Sequence, residues 1–325
     1  GVDFTDGDIS GVDLSGSNLF MIKGRLSNPL FDPNQQFLTL PPGYKLHNGY
    51  IVGPRVDLSG ADLQSLELTG TETHPFDISH SILTHCNLTG ARFSHVNLQN
   101  CNLTGCNFQN LHSIGLATNE HTLLSNERAV RKGILLAPGV DLSGQDMNGT
   151  IVYEHPMVSF TLDLSGANFY RAKTYNIIKK HDDVIKLSPS VKIKSNDPDN
   201  LTNNYIIFAQ NVDLSGITFG NVGPGFPGDN EKFTHIDISG TILTNLRSFD
   251  LKKDNGDLID LDIGDAQNPT NNIDVVLPNG YAIARGHIIG PSVKLANRDI
   301  SHANFSGVNL SGADFTGANL AGAKS

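Results

Sequence analysis

An all-β solenoid, short straight segments joined by corners, is the fold this sequence predicts, and three observations predict it. An apolar or small residue recurs at every fifth position along one stretch: Leu58, Leu63, Leu68, Thr73, Ile78, Leu83, Leu88, Phe93, Leu98, Leu103 and Phe108. A period of five matches neither the alternation of a strand nor the roughly 3.6-residue turn of an α-helix, so the chain must turn a corner every five residues. A small or apolar residue usually stands two before each such position and Asp or Asn one before it, and Ser-Gly or Thr-Gly often follows. The composition agrees: 38% hydrophobic residues, 33 Gly and no Trp suit a narrow column of Leu, Ile and Phe better than a wide globular core.

The pattern fills five blocks, about 2–21, 56–110, 140–174, 212–248 and 293–325, of one elongated array over 1–325. Inserts at about 22–55, 111–139, 175–211 and 249–292 separate them, and the inserts are themselves related. Residues 40–54, with Leu40-Pro41-Pro42-Gly43-Tyr44 at their start and Gly53-Pro54 at their end, reappear as residues 277–291. Weaker echoes, Gly133-Ile134-Leu135-Leu136 and Tyr205-Ile206-Ile207-Phe208, precede two other blocks. The module is therefore an irregular β segment feeding a run of five-residue repeats. Asn48-Gly49, with Arg285-Gly286 in the equivalent place, signals a hairpin packed on the wall. A rival reading makes Leu46, Ile51 and Val56, again five apart, faces of the coil. The array begins and stops inside a repeat run, at Gly1-Val2-Asp3-Phe4 and at Ala318-Asn319-Leu320. An open coil presents unpaired backbone groups, so a segment of a longer array or a subunit stacking end to end is expected.

Ala61-Asp62-Leu63, Cys86-Asn87-Leu88-Thr89-Gly90, Cys101-Asn102-Leu103-Thr104-Gly105 and Ala313-Asp314-Phe315-Thr316-Gly317 resemble the pentapeptide-repeat family, whose pattern is A(D/N)LXX. That resemblance implies a right-handed quadrilateral β-helix with four pentapeptides to a coil and coils about 4.8 Å apart. It places the central residue and the one two before it inside. The core column is then Leu58, Leu63, Leu68, Ile78, Leu83, Leu88, Phe93, Leu98, Leu103 and Phe108, with Cys86, Cys101 and Cys106 as small inward fillers. Cys86 and Cys106 fall one coil apart, but in-register stacking points both sulfurs the same way, which argues against a disulfide. Asp57 and Asp77 fall on one column by the same count.

Chemistry is sparse. A net charge of -10 argues against binding a nucleic-acid backbone, and no run of apolar residues is long enough for a membrane span. No signal segment opens the chain. Gly223-Pro224-Gly225-Phe226-Pro227-Gly228 spells G-x-G-x-x-G, yet its prolines and the lack of a following helix remove the amide-lined terminus that holds phosphate. His74, His80, His85 and His95 project from different faces or corners, as solvated histidines. Asp254, Asp257 and Asp260 form the best carboxylate cluster, a calcium candidate that reads equally as a strand with a polar outer face. No nucleophile elbow, Ser-His-Asp spacing or paired acid is present, so no enzyme and no cofactor other than calcium is expected. Sequons at Asn87, Asn102, Asn148, Asn200, Asn304 and Asn309 allow glycans, although the repeat's own Asn-Leu-Ser/Thr-Gly grammar writes sequons automatically; Asn200 lies outside that grammar.

Three functions compete. The first is a structural segment of an extracellular fibre, filament or appendage of a cell or virion surface, partnered by itself and by surface glycans. The second is a binding module whose loops at 111–133, 179–204, 221–235 and 252–275 contact a host, glycan or viral partner. The third comes from the resemblance, because some pentapeptide-repeat proteins mimic B-form DNA and bind DNA gyrase. Mimicry needs sustained acidity, and the outward residues Asp57, Asp62, Glu67, Glu72 and Asp77 are followed by Ile82, Asn87 and Arg92.

Overall fold

The computed structural model describes residues 1–9, 11–26, 38–152, 161–179, 183–195, 204–220, 236–249, 251, 257–260, 266–267 and 275–325. Its strands are two to five residues long, joined by single-residue bridges and turns. Two compact units result: residues Gly1–Asp141 with Thr161–Asn168, and Leu142–Phe160 with Phe169–Ser325.

In the first unit the coil follows from parallel pairing at a fixed offset. Ile82 pairs with Asn102, Asn87 with Asn107, Arg92–Ser94 with His112–Ile114, and Phe76–Asp77 with Val96–Asn97, each partner twenty residues on. Four such columns per turn make a quadrilateral pentapeptide β-helix. Its interior is continuous: Leu58, Leu63, Leu68, Ile78, Leu83, Leu88, Phe93, Leu98, Leu103 and Phe108 are all 3% exposed or less. Burying each such side chain stabilises by roughly 1.5–3 kcal/mol. Ala61, Leu66, Ala91, Val96 and Leu111 fill the second inward position. The stack continues beyond residue 110, since Ala117 bridges to Asn97 and Leu123 to Asn102.

Asp or Asn before the core residue has a physical reason. Its Oδ1 accepts the backbone N–H two residues on, as in Asp57 to Ser59 at 3.0 Å, Asp77 to Ser79 at 2.9 Å and Asn97 to Gln99 at 3.1 Å. This Asx turn bends the chain at the corner.

One coil is longer than the count predicts. Asp57 pairs with Ile82, Asp62 with Asn87 and Glu67 with Arg92, all twenty-five residues on. Residues 71–75 are extruded, and each of the five is exposed. Thr73, though in phase with the core positions, therefore lies outside. Asp57 and Asp77 do not share a column: Asp57 stacks between Lys23 and Ile82, and Asp77 on Asn97. The five-residue spacing survives the excursion because the loop is itself one repeat long.

The related inserts are hairpins. Lys45–His47 pairs antiparallel with Tyr50–Val52, Ala129–Arg131 with Ile134–Leu136, and Ala282–Ala284 with His287–Ile289. Both turn residues are left-handed in each, for example Asn48 at φ 48° and Gly49 at φ 86°, the geometry that favours Asn-Gly. Leu46 faces Ile51 across the ladder, which overturns the reading of these residues as successive coil faces. The first hairpin lies on the wall: Lys45 Nζ donates to the Glu67 carbonyl at 2.5 Å, and His47 Nε2 meets the Gln64 carbonyl at 2.8 Å.

In the second unit Asp146 bridges to Lys173, Lys173 to Asp213, and Asp213 to Ile242. The echo at Tyr205-Ile206-Ile207-Phe208 is the middle of a three-stranded antiparallel sheet, Asn204–Phe208 between Ile177–Ile178 and Lys192–Ser195. In the last coils Lys294 pairs with Asp314, Asp299 with Asn319 and Asn304 with Lys324, again twenty residues apart.

Candidate binding surface

The outward side chains stand on two kinds of site, the flat columns and the corners between them. Along the columns the charges alternate. Lys23 stacks between Asp3 and Asp57, with Nζ 3.3 Å from Asp3. Glu67 is followed by Arg92, His112 and Asp141. Lys173 lies between Asp146 and Asp213, and Lys294 pairs with Asp314. Elsewhere Asn amides bridge carboxylates, Asn97 Nδ2 to Asp77 at 3.0 Å, Asn168 to Asp141 at 2.9 Å and Asn319 to Asp299 at 3.0 Å. Like charges do not meet along these stacks, so these columns of the described residues are polar without a sustained acidic stripe.

The corners carry left-handed residues, and glycine serves there because it has no Cβ to clash. His80, His85 and His95 occupy such corners, at φ 61°, 59° and 52°, while His74 is in the extruded loop. That loop is ordered by its own bonds: Thr71 N–H donates to the His74 carbonyl at 2.9 Å, His74 N–H to Thr71 Oγ1 at 3.0 Å, and Thr73 Oγ1 meets His74 Nδ1 at 3.0 Å. Sequence reasoning missed this loop. Its visible signal was a repeat with five polar or proline residues, Thr71-Glu72-Thr73-His74-Pro75.

The three thiols are buried and each donates to the carbonyl of a neighbouring coil: Cys86 to Leu58 at 2.9 Å, Cys101 to Ile78 at 3.0 Å and Cys106 to Leu83 at 2.8 Å. Burial pushes the Cys101 thiol up to about 12. The Cys106 sulfur beside it, together with burial, pushes Cys86 up as well.

Of the calcium candidates, Asp254 lies outside the described residues. Asp257 is exposed, and Asp260 Oδ1 accepts the Arg285 backbone N–H at 2.6 Å, bracing the turn of a hairpin. Among the described residues no three His, Cys, Asp or Glu side chains gather to hold a metal. Asn200 and the Gly223–Gly228 stretch also lie outside the described residues. The other sequon side chains are parts of corners. Asn87 Oδ1 takes both the Thr89 N–H and hydroxyl, Asn102 does the same for Thr104, Asn304 and Asn309 cap Ser306 and Ser311, and Asn148 accepts Asn176 Nδ2. In the second unit, buried Lys179 lies 4.3 Å from the Tyr205 ring centroid and donates to the Asp183 carbonyl at 3.0 Å, a pairing that no spacing announced.

The family model described as Pentapeptide repeats matches in eight copies, over residues 77–110 and 293–324. Over these residues the chain carries pentapeptide repeats. Two solved structures show similarity. One is HetL, a pentapeptide-repeat protein involved in heterocyst differentiation regulation in the cyanobacterium Nostoc sp. strain PCC 7120, with 17% identity, 82% of this chain and 87% of that chain covered, and a TM-score of 0.19. The other is QnrB1, a plasmid-mediated fluoroquinolone resistance protein, with 14% identity, 82% and 83% covered, and a TM-score of 0.18. No curated protein matches the chain. The expectation of an extracellular fibre or filament segment is corrected: neither the matched repeats nor the two similar structures give it support. No helix among the described residues is long and apolar enough to cross a membrane.

Proposed function

We propose that the protein is a non-catalytic scaffold that binds a partner protein through side chains and loops held at fixed spacing on its coils. The observation that carries this reading is the loop at residues 71–75, which projects from a corner, is exposed throughout and is ordered by its own hydrogen bonds. A loop that is already rigid loses little entropy on binding, and a coil beneath it fixes its position. Gyrase binding by DNA mimicry fits less well, because Lys23, Arg92 and Lys173 interrupt the acidic columns.

A random-peptide display library panned on the immobilised full chain tests the proposal. Enriched peptides that bind the folded chain and not the urea-unfolded one support it. Peptides that bind both forms equally, or no enrichment at all, overturn it. Deleting residues 71–75 and joining Gly70 to Phe76 restores a twenty-residue coil, so the deletion is expected to leave the melting temperature little changed while a class of these peptides loses its site.

A further inference from the structure

At three corners of the first unit, side chains alternate with glycines from coil to coil. Gly60, His85 and Gly105 follow one another at one corner, Ser65, Gly90 and Asn110 at the next, and His95 and Gly115 at the third. His85 and His95 use the room that Gly105 and Gly115 leave. A Cβ on Gly105 would lie 2.6 Å from His85 Cδ2, and one on Gly115 2.6 Å from His95 Cδ2.

The fourth corner departs from this. Met21, Arg55, His80 and Asn100 follow in four consecutive coils, at φ 52°, 61°, 61° and 60°, with no glycine among them. Their stacking is set by Met21 N–H to the Arg55 carbonyl at 2.6 Å, Arg55 N–H to Ser79 at 2.9 Å and His80 N–H to Gln99 at 2.9 Å. Left-handed backbone is unfavourable for Met21 and Arg55 and better tolerated by His80 and Asn100. Asn100 is tied to the next coil, its Oδ1 accepting Asn119 Nδ2 at 3.3 Å. Arg55 and His80 are exposed, and the Arg55 guanidinium lies 5.9 Å from the centroid of the Phe20 ring, itself 48% exposed. His80 Nε2 and Asn100 Nδ2 are 3.3 Å apart. Asp77 is the nearby acid on this face, and its Oδ1 is taken by Ser79 N–H and Asn97 Nδ2. Arg55 has no ion pair with a described residue.

An exposed guanidinium with no ion pair to a described residue, set over an exposed aromatic ring beside Met, combines residue types enriched at protein interfaces. We propose that this glycine-free corner, made by Phe20, Met21, Arg55, His80 and Asn100, is a docking ridge for an acidic segment of a partner protein. A carboxylate is held by Arg55 and an adjacent apolar side chain rests on Phe20 and Met21. A nucleic acid is the poorer fit: with a net charge of -10 the chain repels a long polyanion, whereas one or two carboxylates respond to the local guanidinium. This inference rests on the scaffold reading and assigns it a surface.

The same peptide selection decides it, with Arg55→Gly, His80→Gly and Arg55→Gln as competitors. Glycine suits these corners, so both glycine variants are expected to stay folded with melting temperatures close to that of the parent. Arg55→Gln keeps the side chain and removes only the charge. The expected result is enrichment of peptides with Asp or Glu beside Leu, Phe or Trp, whose capture falls roughly tenfold or more in Arg55→Gly and Arg55→Gln. Enriched peptides without acidic residues, or capture that the Arg55 variants leave unchanged, would overturn the ridge. So would a single-stranded oligonucleotide that displaces the peptides and itself requires Arg55. Peptides that need the folded chain but lose binding only on deletion of residues 71–75 overturn the ridge and leave the scaffold standing.

Discussion

Gly70 determines whether the long coil can close. A Cβ there would come within 2.6 Å of the His95 carbonyl oxygen and closer still to the Phe76 amide nitrogen, both backbone atoms that cannot step aside. Gly60, at a corner with φ 69°, has nothing within 4 Å of its Cβ position. The two glycines thus separate crowding from backbone conformation. Gly60→Ala is expected to cost about 1 kcal/mol, the left-handed penalty alone. Gly70→Ala is expected to cost roughly 3 kcal/mol or more, because the loop ends must part. Urea midpoints of the two variants check this, and equal losses would count against the pinched geometry. At this scale the core residues and their Asp or Asn neighbours were legible, because burial and the Asx turn each demand a narrow residue type. The ridge was not legible. Arg55 carries no left-handed signature of its own, and at His80 and Asn100 the trace is the missing glycine two positions after Ile78 and Leu98.

Among the elements, the hairpins show a second kind of legibility. The recurrence of residues 40–54 at 277–291 predicts equal structures, and the two ends are built alike. Tyr44 Oη donates to the Pro54 carbonyl at 3.0 Å, and Tyr281 Oη to the Pro291 carbonyl at 3.1 Å. Each ring occupies the place where a Cβ on Gly53 or Gly290 would stand. The hairpin of Ala129–Arg131 and Ile134–Leu136 has Arg128 and Ala137 at the matching positions, so tyrosine and glycine change together. This latch ties the foot of the hairpin to the first residue of the coil, Val56 or Val293, both buried. Removing the hydroxyl in Tyr281→Phe is expected to cost about 1 kcal/mol by urea denaturation, one hydrogen bond with the ring still in place. A Tyr281→Phe protein as stable as the parent would show that ring packing alone holds the hairpin. What the repeat could not reveal was the loop at residues 71–75, since an excursion one repeat long leaves the period unbroken.

Across the whole molecule, stability is tied to acid through the carboxylates that make the corners. Hydrogen bonds from the Thr5 side chain and backbone, with Lys23 beside it, lower Asp3 from 3.8 to about 2. Asp13 is lowered by the Ser15 backbone and side chain, Asp299 by the Ser301 side chain and backbone, and Asp314 by the Thr316 hydroxyl and N–H. A carboxylate with a depressed folded pKa binds protons more readily when the chain is unfolded, so acid favours the unfolded state. Its contribution is complete above the ordinary value of 3.8 and is lost as pH falls through the folded value, about 2 for Asp3. The losses of these four carboxylates, Asp3, Asp13, Asp299 and Asp314, fall in one window. The urea midpoint is therefore expected to be level with respect to these groups above about pH 5 and to decline from about pH 4 toward pH 2. Asn makes the same turn at other corners without titrating, as Asn97 and Asn319 do through Oδ1. Asp299→Asn with Asp314→Asn should accordingly flatten part of that decline while leaving the fold intact. If the double variant declines as steeply as the parent, acid acts through other groups and the corner carboxylates serve geometry alone.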